Sequence, residues 1–402
     1  MMAVRHSSDR EGALEGLRGI AALSVLLMHL AITFIGSHPD PFWPARLLMI
    51  LDRTPVSLIW SGNQAVLLFF ALSGFVLHRM IASNPRPYRS YVLRRIFRLW
   101  PPYVAALFCG IALVYVVGAG RIDDGAPWTN EFLRSQLTRG EILTRLAMVG
   151  SFDPTKINPV VWSLVHEMRM SLVLPAIYIA MRKFRVLPVL AVSILISIAT
   201  LMTFRSLGRP IGALSLANTL VLQVHFIVGV AIAHSKARIM AFYGRLPSSA
   251  RWGAGLAALI LYSNCLPVVG RVNILGMVDD SPLQYFGTAG VLLGAAWIIV
   301  AAISSPRLKA VLETRPLLAL GRISYSLYLF HFMVLLAVTR ALGTTLSSFN
   351  VTMVAFALSL VAAFVANRLI EEPSNRLGKT LTEPRPHLPV AGTAAVAEQA
   401  PT

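Results

Sequence analysis

A guanidinium and an imidazole occur inside one strongly apolar stretch, Leu14 to Leu30, which reads LEGLRGIAALSVLLMHL. Arg18 and His29 are eleven positions apart, which at about 100° per residue is three helical turns plus roughly 20°, so both side chains share one face of a helix. Their separation along that face is ~16 Å, about half the hydrocarbon thickness of a bilayer. Ionisable groups inside an apolar span are costly and mark functional sites. This helix therefore predicts two linked polar positions within a membrane.

A carboxylate is predicted at the same membrane depth as His29. His29 lies seven residues from the outer end of its span, and Glu167 lies seven residues inside the outer end of an antiparallel span. A carboxylate at that level can orient an imidazole and stabilise its protonated form during general-base catalysis. The alternative is that each histidine only bonds a neighbouring helix. Polar or aromatic side chains expected above or near this level are Trp162, Ser163, His166 and His331.

Four arginines are predicted at the cytoplasmic mouth of the bundle. Arg18 and Arg322 lie four or five positions in from predicted cytoplasmic ends, and Arg95 and Arg98 come just before a Pro-Pro pair on the same side. Together they form a candidate cationic pocket. For Arg18 and Arg322 the alternative is that the long side chain extends back to the membrane surface.

The composition is that of an integral membrane protein. Of 402 residues, 56% are hydrophobic and 13% are charged, and the mean hydropathy is +0.66. The net charge of +18 arises from short basic clusters between apolar spans, which indicates membrane topology rather than nucleic-acid binding. Cys109 and Cys265 both fall in apolar stretches, so we expect small core residues and no metal site.

The predicted fold is all-α, with about ten transmembrane helices and both termini in the cytoplasm. With the N-terminus inside, the inner segments hold twice as many Lys and Arg as the outer ones, 22 against 11. Windows of about 20 apolar residues place the spans at about 14–36, 62–81, 101–118, 160–181, 186–204, 211–233, 252–269, 284–303, 317–341 and 351–370.

The domain organisation follows from these spans. Residues 1–13 form a cytoplasmic N-terminal segment, and residues 14–376 form one transmembrane domain with a long extracytoplasmic loop at about 119–159. Residues 377–402 are predicted to be a disordered cytoplasmic tail, because the stretch after Arg385 is rich in Pro and Ala. The first span lacks a small-residue cleavage site, so it is predicted to be retained rather than removed as a signal peptide.

Six segments resemble the membrane acyltransferase 3 family, which includes O-antigen and exopolysaccharide acetylases and some macrolide acyltransferases. They occur in the family's order, from the first span to the end of the tenth, and that order makes the resemblance specific. The segments are LEGLRGIAALSVLLMH (14–29), FFALSGFVL (69–77), RRIFRLWPPY (94–103), WSLVHEM (162–168), GRISYSLYLFH (321–331) and IEEPSNR (370–376).

The resemblance implies transfer of an acyl group, by default acetyl, from cytoplasmic acyl-coenzyme A to a hydroxyl of a sugar-containing acceptor. A cell-surface polysaccharide, a glycolipid or a glycosylated small molecule would fit, in a cell or inner membrane. The family's functional residues map to Arg18 and His29, to the arginine pair Arg95 and Arg98, and to Trp162, Ser163 and Glu167. Two positions depart from the family: Glu15 replaces a common Asp, and Val165-His166 replaces a common Ser-Val pair.

The resulting hypothesis joins the two polar positions. The arginines, with Arg322 as a fourth, would bind the phosphates of coenzyme A as a co-substrate rather than a tightly bound cofactor. His29 would be the general base and Glu167 would orient it or engage the acceptor, with a covalent acyl-histidine relay left open. Six further residues would bind the acceptor or shape the site: Trp162, Ser163, His166, Ser73, Tyr325 and His331. A transporter, or a sensor of lipid or acyl-coenzyme A, is the alternative; the sequence makes no prediction of oligomeric state.

Overall fold

The computed structural model describes residues 11–36, 43–52, 54–117, 137–153, 156–209, 211–263 and 282–383, to which every structural statement below refers. Within these ranges the chain is helical, and they contain no strand. The helices are α1 (Gly12–Gly36), α2 (Trp43–Leu51), α3 (Gly62–Ser83), α4 (Tyr88–Val117), α5 (Arg139–Leu146), α6 (Val161–Phe184), α7 (Val186–Ser206), α8 (Leu216–His234), α9 (Lys236–Arg245), α10 (Ser248–Ser263), α11 (Pro282–Ser304), α12 (Pro306–Leu312), α13 (Arg315–Arg322), α14 (Ser324–Leu342), α15 (Ser348–Ala366) and α16 (Glu372–Thr382).

The predicted all-α membrane fold is confirmed. In the described part of the chain, eight helices are long and apolar enough to cross a membrane, or nine if the bent pair α11–α12 counts as one span. The predicted span at about 252–269 overlaps α10, whose 16 residues end where the described range ends. The side of the membrane on which the termini lie stays a prediction. Below, "inner" means toward the end of the bundle at which α1 begins, and "outer" means toward the opposite end.

Helix α4 begins well before the predicted third span, at Tyr88, and runs through Pro101 and Pro102. A proline inside a helix has no N–H for the carbonyl four residues earlier. The carbonyl of Phe97, freed in this way by Pro101, accepts a hydrogen bond from Ser374 Oγ on α16. The Pro-Pro pair therefore does not end the helix, and the arginines before it are helical residues.

The predicted ninth span, 317–341, is two helices. α13 ends at Arg322, and α14 begins at Ser324. Earlier in the chain, α11 and α12 meet at a bend of 94°. This α12–α13 pair packs closely on the inner half of α1. A Cβ at Gly16 would lie 2.0 Å from the carbonyl oxygen of Leu312, and one at Gly19 would lie 2.7 Å from the nitrogen of Gly321. Because Gly16 and Gly19 have no side chain, the backbones of α12 and α13 can approach α1 closely.

The C-terminal helix extends further than predicted. α15 continues through a π turn, Asn367–Glu371, into α16, so residues 377–382 of the predicted disordered tail are helical. α16 is held against α4, where Gly378 packs on Phe97 and Arg94 donates to Thr382 Oγ1. The rest of the predicted tail, 384–402, lies outside the described residues.

The outer loop packs against α4 and so sets where α6 begins. Trp100 Nε1 donates to the carbonyl of Leu146 at 2.7 Å, and Tyr103 OH donates to that of Arg145 at 2.9 Å. Both anchors lie near the middle of α4, so α5 and the residues after it pack beside that helix, well short of its outer end. As a result, the first residue of α6 lies deeper in the bundle than the outer end of α4.

A capping box and an ion pair fix α5. Thr138 and Glu141 exchange backbone and side-chain hydrogen bonds at its first turn. Lys156 Nζ lies 2.5 Å from Glu141 Oε1. The hydrogen bond from Lys156, helped by those from Thr138, lowers the pKa of Glu141 to about 2, so this carboxylate stays ionised until strongly acidic pH.

Helices α3 and α8 cross at glycines. A Cβ at Gly229 would lie 1.8 Å from the carbonyl oxygen of Ala71, and one at Gly74 would lie 2.0 Å from that of Phe226. Such close approach of backbones is typical of membrane helices, where packing replaces the hydrophobic effect as the associating force. This crossing places Ser73, beside Gly74, toward the middle of the bundle.

Replacing Gly229 by Ala is expected to lower the free energy of unfolding by about 1–3 kcal/mol, because the added methyl meets backbone that cannot rotate away. Thermal unfolding of the purified protein in detergent measures the effect. Gly253→Ala is the matched control, since a Cβ there meets no atom within 4 Å. Equal melting temperatures of the two variants would contradict the close crossing.

Candidate active site

A buried ion pair joins three helices at the inner level of the bundle. Arg95 Nη2 on α4 donates to Glu167 Oε1 on α6 at 2.9 Å, and Ser73 Oγ on α3 donates to the same oxygen at 2.9 Å. Arg95 also donates to Ser171 Oγ from Nε and Nη2, at 3.1 and 2.9 Å. Arg95 is only 3% exposed. Its charge is therefore held in one place by a carboxylate and a hydroxyl.

Three of the four predicted arginines come together at this level. Arg98 interacts electrostatically with Arg18, Arg95, Glu167 and Glu371, and Glu167 interacts with both Arg95 and Arg18. Three guanidiniums against two carboxylates leave a surplus of one positive charge. This group, Arg18, Arg95, Arg98, Glu167 and Glu371, is called the arginine cluster below.

Arg322 is placed differently. Its side chain is exposed at the end of α13, and its backbone carbonyl accepts a hydrogen bond from Asn367 Nδ2 at 3.1 Å. It is not among the electrostatic neighbours of Arg98. Donor binding by Arg322 stays a prediction.

Glu371 is the residue of the cluster that the sequence analysis missed. It is 5% exposed and accepts hydrogen bonds from Ser326 Oγ at 2.7 Å and Asn367 Nδ2 at 3.0 Å. It ends the π turn, a distortion that is frequent at functional sites. The available signal was an acidic residue within the IEEPSNR segment at the inner end of the last span.

Glu167 does not lie at the level of His29, contrary to the prediction. Ser163 Oγ and Tyr328 OH, 2.7 Å apart, mark a common level on α6 and α14. Glu167 is four residues inward from Ser163, and His331, which contacts His29, is three residues outward from Tyr328. At 1.5 Å per residue the two sites are roughly 10 Å apart along the bundle.

The depth estimate failed because it treated the outer ends of the helices as level. α6 starts only six residues before Glu167, ~9 Å, whereas α4 continues ~33 Å beyond Arg95, to which Glu167 is bonded. The start of α6 is thus recessed. Counting residues from that start places Glu167 too far outward.

His29 is instead paired with His331. His331 Nε2 on α14 lies 3.1 Å from His29 Nδ1, and the rings are tilted by 45° with their centroids 5.0 Å apart. His331 Nδ1 faces the carbonyl of Leu327 at 2.9 Å, and Phe332 contacts the His29 ring edge-on. The structure therefore joins two of the predicted histidines.

The side chains at and between the levels of the arginine cluster and the histidine pair differ in exposure. Ser163 and Tyr328 are buried between the two levels, where Tyr328 OH donates to the carbonyl of Val160 at 2.9 Å. Tyr325 OH likewise donates to the carbonyl of Leu99 at 2.8 Å, so this residue packs α14 on α4. The polar or aromatic side chains that keep intermediate exposure are Arg18, His29, Phe69, Ser73, Arg98, Trp162 and Glu167.

His166 bonds a neighbouring loop and helix α8. Its Nε2 lies 2.8 Å from the carbonyl oxygen of Ala213 and its Nδ1 lies 2.8 Å from Thr219 Oγ1. Arg169, one turn further along α6, donates to four carbonyls of two loops: those of Val149, Gly150, Leu214 and Ser215. These two side chains therefore hold the two loops against α6.

Arg169→Lys is expected to lower the free energy of unfolding by about 2–3 kcal/mol, because one ammonium cannot make all the hydrogen bonds by which the planar guanidinium holds two loops. Proteolysis within residues 147–153 should accelerate. Arg205→Lys, at an exposed arginine, is the control and should behave as the wild type. Unchanged proteolysis in Arg169→Lys would show that the clamp does not hold the loop.

Comparison with known proteins gives three matches. A family model described as an acyltransferase domain, that of acyltransferase 3, matches residues 11–368. Acyltransferase MdmB of Streptomyces mycarofaciens is 24% identical over 394 residues, which cover 91% of this chain and 92% of that protein. O-acetyltransferase PaAT-1 of Phomopsis amygdali is 30% identical over 123 residues, 27% of this chain and 24% of that protein. No solved structure matches.

Proposed function

Since the chain belongs to the membrane acyltransferase 3 family, we propose that it moves an acyl group, by default acetyl, from cytoplasmic acyl-coenzyme A to a hydroxyl of a sugar-containing acceptor. His29 acts as the general base. Two findings support this proposal: the protein is a multi-pass membrane protein, and it is an acyltransferase for groups other than amino-acyl groups. The donor, the acceptor and the base are the proposal.

One observation carries it: the bundle holds a cationic level and a histidine level, roughly 10 Å apart along the helices. The phosphates of coenzyme A suit the guanidiniums of Arg18, Arg95 and Arg98, because Arg binds phosphate oxygens with two parallel hydrogen bonds. The extended pantetheine arm then carries the thioester outward. Glu167 keeps Arg95 in position, a role supported by their 2.9 Å ion pair.

The reaction is a single displacement at the histidine level. The acceptor hydroxyl gives its proton to His29 as its oxygen attacks the thioester carbonyl carbon. The carbon–sulfur bond then breaks, and the thiolate of coenzyme A leaves with a proton returned from His29. The arginine cluster takes no part in proton transfer, so donor binding and chemistry are separate functions of separate residues.

The test is transfer by purified protein in nanodiscs, with [14C]acetyl-coenzyme A and a panel of glycans, glycolipids and glycosylated macrolides. We expect labelled product together with one free coenzyme A for each acyl group, only when an acceptor is present. Label that crosses or binds the membrane without release of coenzyme A would favour the transporter or the sensor instead.

A further inference from the structure

The protons of the histidine pair can be assigned from its acceptors. The Leu327 carbonyl oxygen, 2.9 Å from His331 Nδ1, can only accept, so His331 Nδ1 carries a hydrogen. A neutral imidazole protonated on Nδ1 has its lone pair on Nε2. His331 Nε2 is therefore an acceptor, and it faces His29.

The same reasoning applies one ring further along. His29 Nδ1 lies 3.1 Å from His331 Nε2 and 3.1 Å from the carbonyl oxygen of Val25. Both of these atoms accept, so His29 Nδ1 must be the donor. The neutral His29 then has its lone pair on Nε2, the nitrogen on the far side of the ring from His331. Hydrogen bonds thus run from His29 through His331 to the Leu327 carbonyl.

We infer that His331 is a positioning residue that fixes the tautomer and orientation of His29, so that the Nε2 lone pair meets the acceptor hydroxyl; this rests on the proposed acyl transfer. In familiar catalytic triads a carboxylate orients the histidine. Here Glu167 is bonded to Arg95 and Ser73, and a neutral imidazole takes that place. His331 is fully buried, at 0% exposure, and its own orientation is set by backbone.

The proton balance of the step is simple. The acceptor's proton passes to His29 Nε2, which makes His29 an imidazolium with Nδ1–H directed at the His331 lone pair. When the thiolate of coenzyme A leaves, the same proton passes from His29 Nε2 to its sulfur. His331 begins and ends neutral and protonated on Nδ1, and it contacts neither substrate.

Two variants of equal side-chain length separate this role from packing. His331→Gln keeps an acceptor near the position of Nε2, whereas His331→Met removes it. We expect His331→Met to lower kcat ~10–100-fold, by analogy with residues that orient a metal-bound histidine, with an unchanged KM for acetyl-coenzyme A. His331→Gln should recover to within roughly fivefold of wild type.

Nitrogen-15 NMR of histidine-labelled protein reports the tautomer of His29, which a loss of packing alone would not change. The wild-type signal of His29 should be that of the Nδ1-protonated ring, and His331→Met should show a mixture of the two tautomers. A wild-type His29 protonated on Nε2 would overturn the assignment. Equal losses of activity in the Gln and Met variants, with lowered melting temperatures, would reduce His331 to a packing residue.

The outcome is distinguishable from failure of the proposed function. If His29→Ala still transfers the acyl group fully, His29 is not the base and the proposed mechanism fails. If His29→Ala is inactive while both His331 variants match the wild type, the base stands and only the positioning role is wrong.

Discussion

Replacing His29 by Ala is expected to lower acyl transfer by about 10²–10⁴-fold, the contribution of a positioned general base. Donor binding should persist, because the arginine cluster lies roughly 10 Å further inward along the bundle. The measurement pairs product formation from [14C]acetyl-coenzyme A with equilibrium binding of the donor in the same preparation. A fall in kcat with retained donor affinity is the expected pattern.

His78→Gln is the matched control for His29→Ala. His78 and His234 form another histidine pair, with Nε2 and Nδ1 3.2 Å apart, between α3 and α8. This pair lies near the inner ends of its helices and has no place in the proposed transfer, so activity should stay near that of the wild type. Full transfer by His29→Ala would remove the base from the mechanism.

Arg95→Met is expected to cause the second large effect, a loss of about 3–5 kcal/mol in the free energy of unfolding together with loss of donor binding. Removing one partner of a buried ion pair leaves the other charge uncompensated. Here the remaining group is Glu167, whose side chain is 16% exposed; it loses its hydrogen-bonded ion pair and keeps electrostatic interactions with Arg18 and Arg98. Thermal unfolding in detergent and binding of acetyl-coenzyme A are both measured.

A double variant separates the two losses. Adding Glu167→Gln to Arg95→Met removes the buried carboxylate that has lost its hydrogen-bonded partner, so stability should recover in part while donor binding stays lost. Arg376→Met, which breaks an exposed pair with Glu372 at 3.2 Å, should change stability by less than about 1 kcal/mol. Donor binding regained in the double variant would show that Arg95 serves the fold alone.

The parts of this molecule that the sequence predicted are those fixed by local pattern. Apolar windows located the helices, and the eleven-residue spacing of Arg18 and His29 placed them on one face of α1 because helical geometry depends on that helix alone. The motif order identified the family. The helices, the shared face and each single motif depend only on residues that are near in sequence.

The parts that it missed depend on how helices are offset along the membrane. Glu167 was matched to His29 by counting from helix ends, and the recessed start of α6 made that count wrong. Pro101 looked like a helix start, although Ser374, far along the chain, supplies the missing bond to Phe97. Glu371 entered the arginine cluster through contacts with α14 and α4. No local pattern contains such contacts.

The most direct test of a donor held at the arginine cluster with its acyl group at His29 is photo-crosslinking with an acyl-coenzyme A that carries a diazirine on the acyl chain. We expect labelled peptides from α1 and α14 around His29 and Phe332, and loss of this labelling in Arg95→Met/Glu167→Gln. Labelling confined to the arginine cluster, or labelling around His29 that survives in the double variant, would contradict the account.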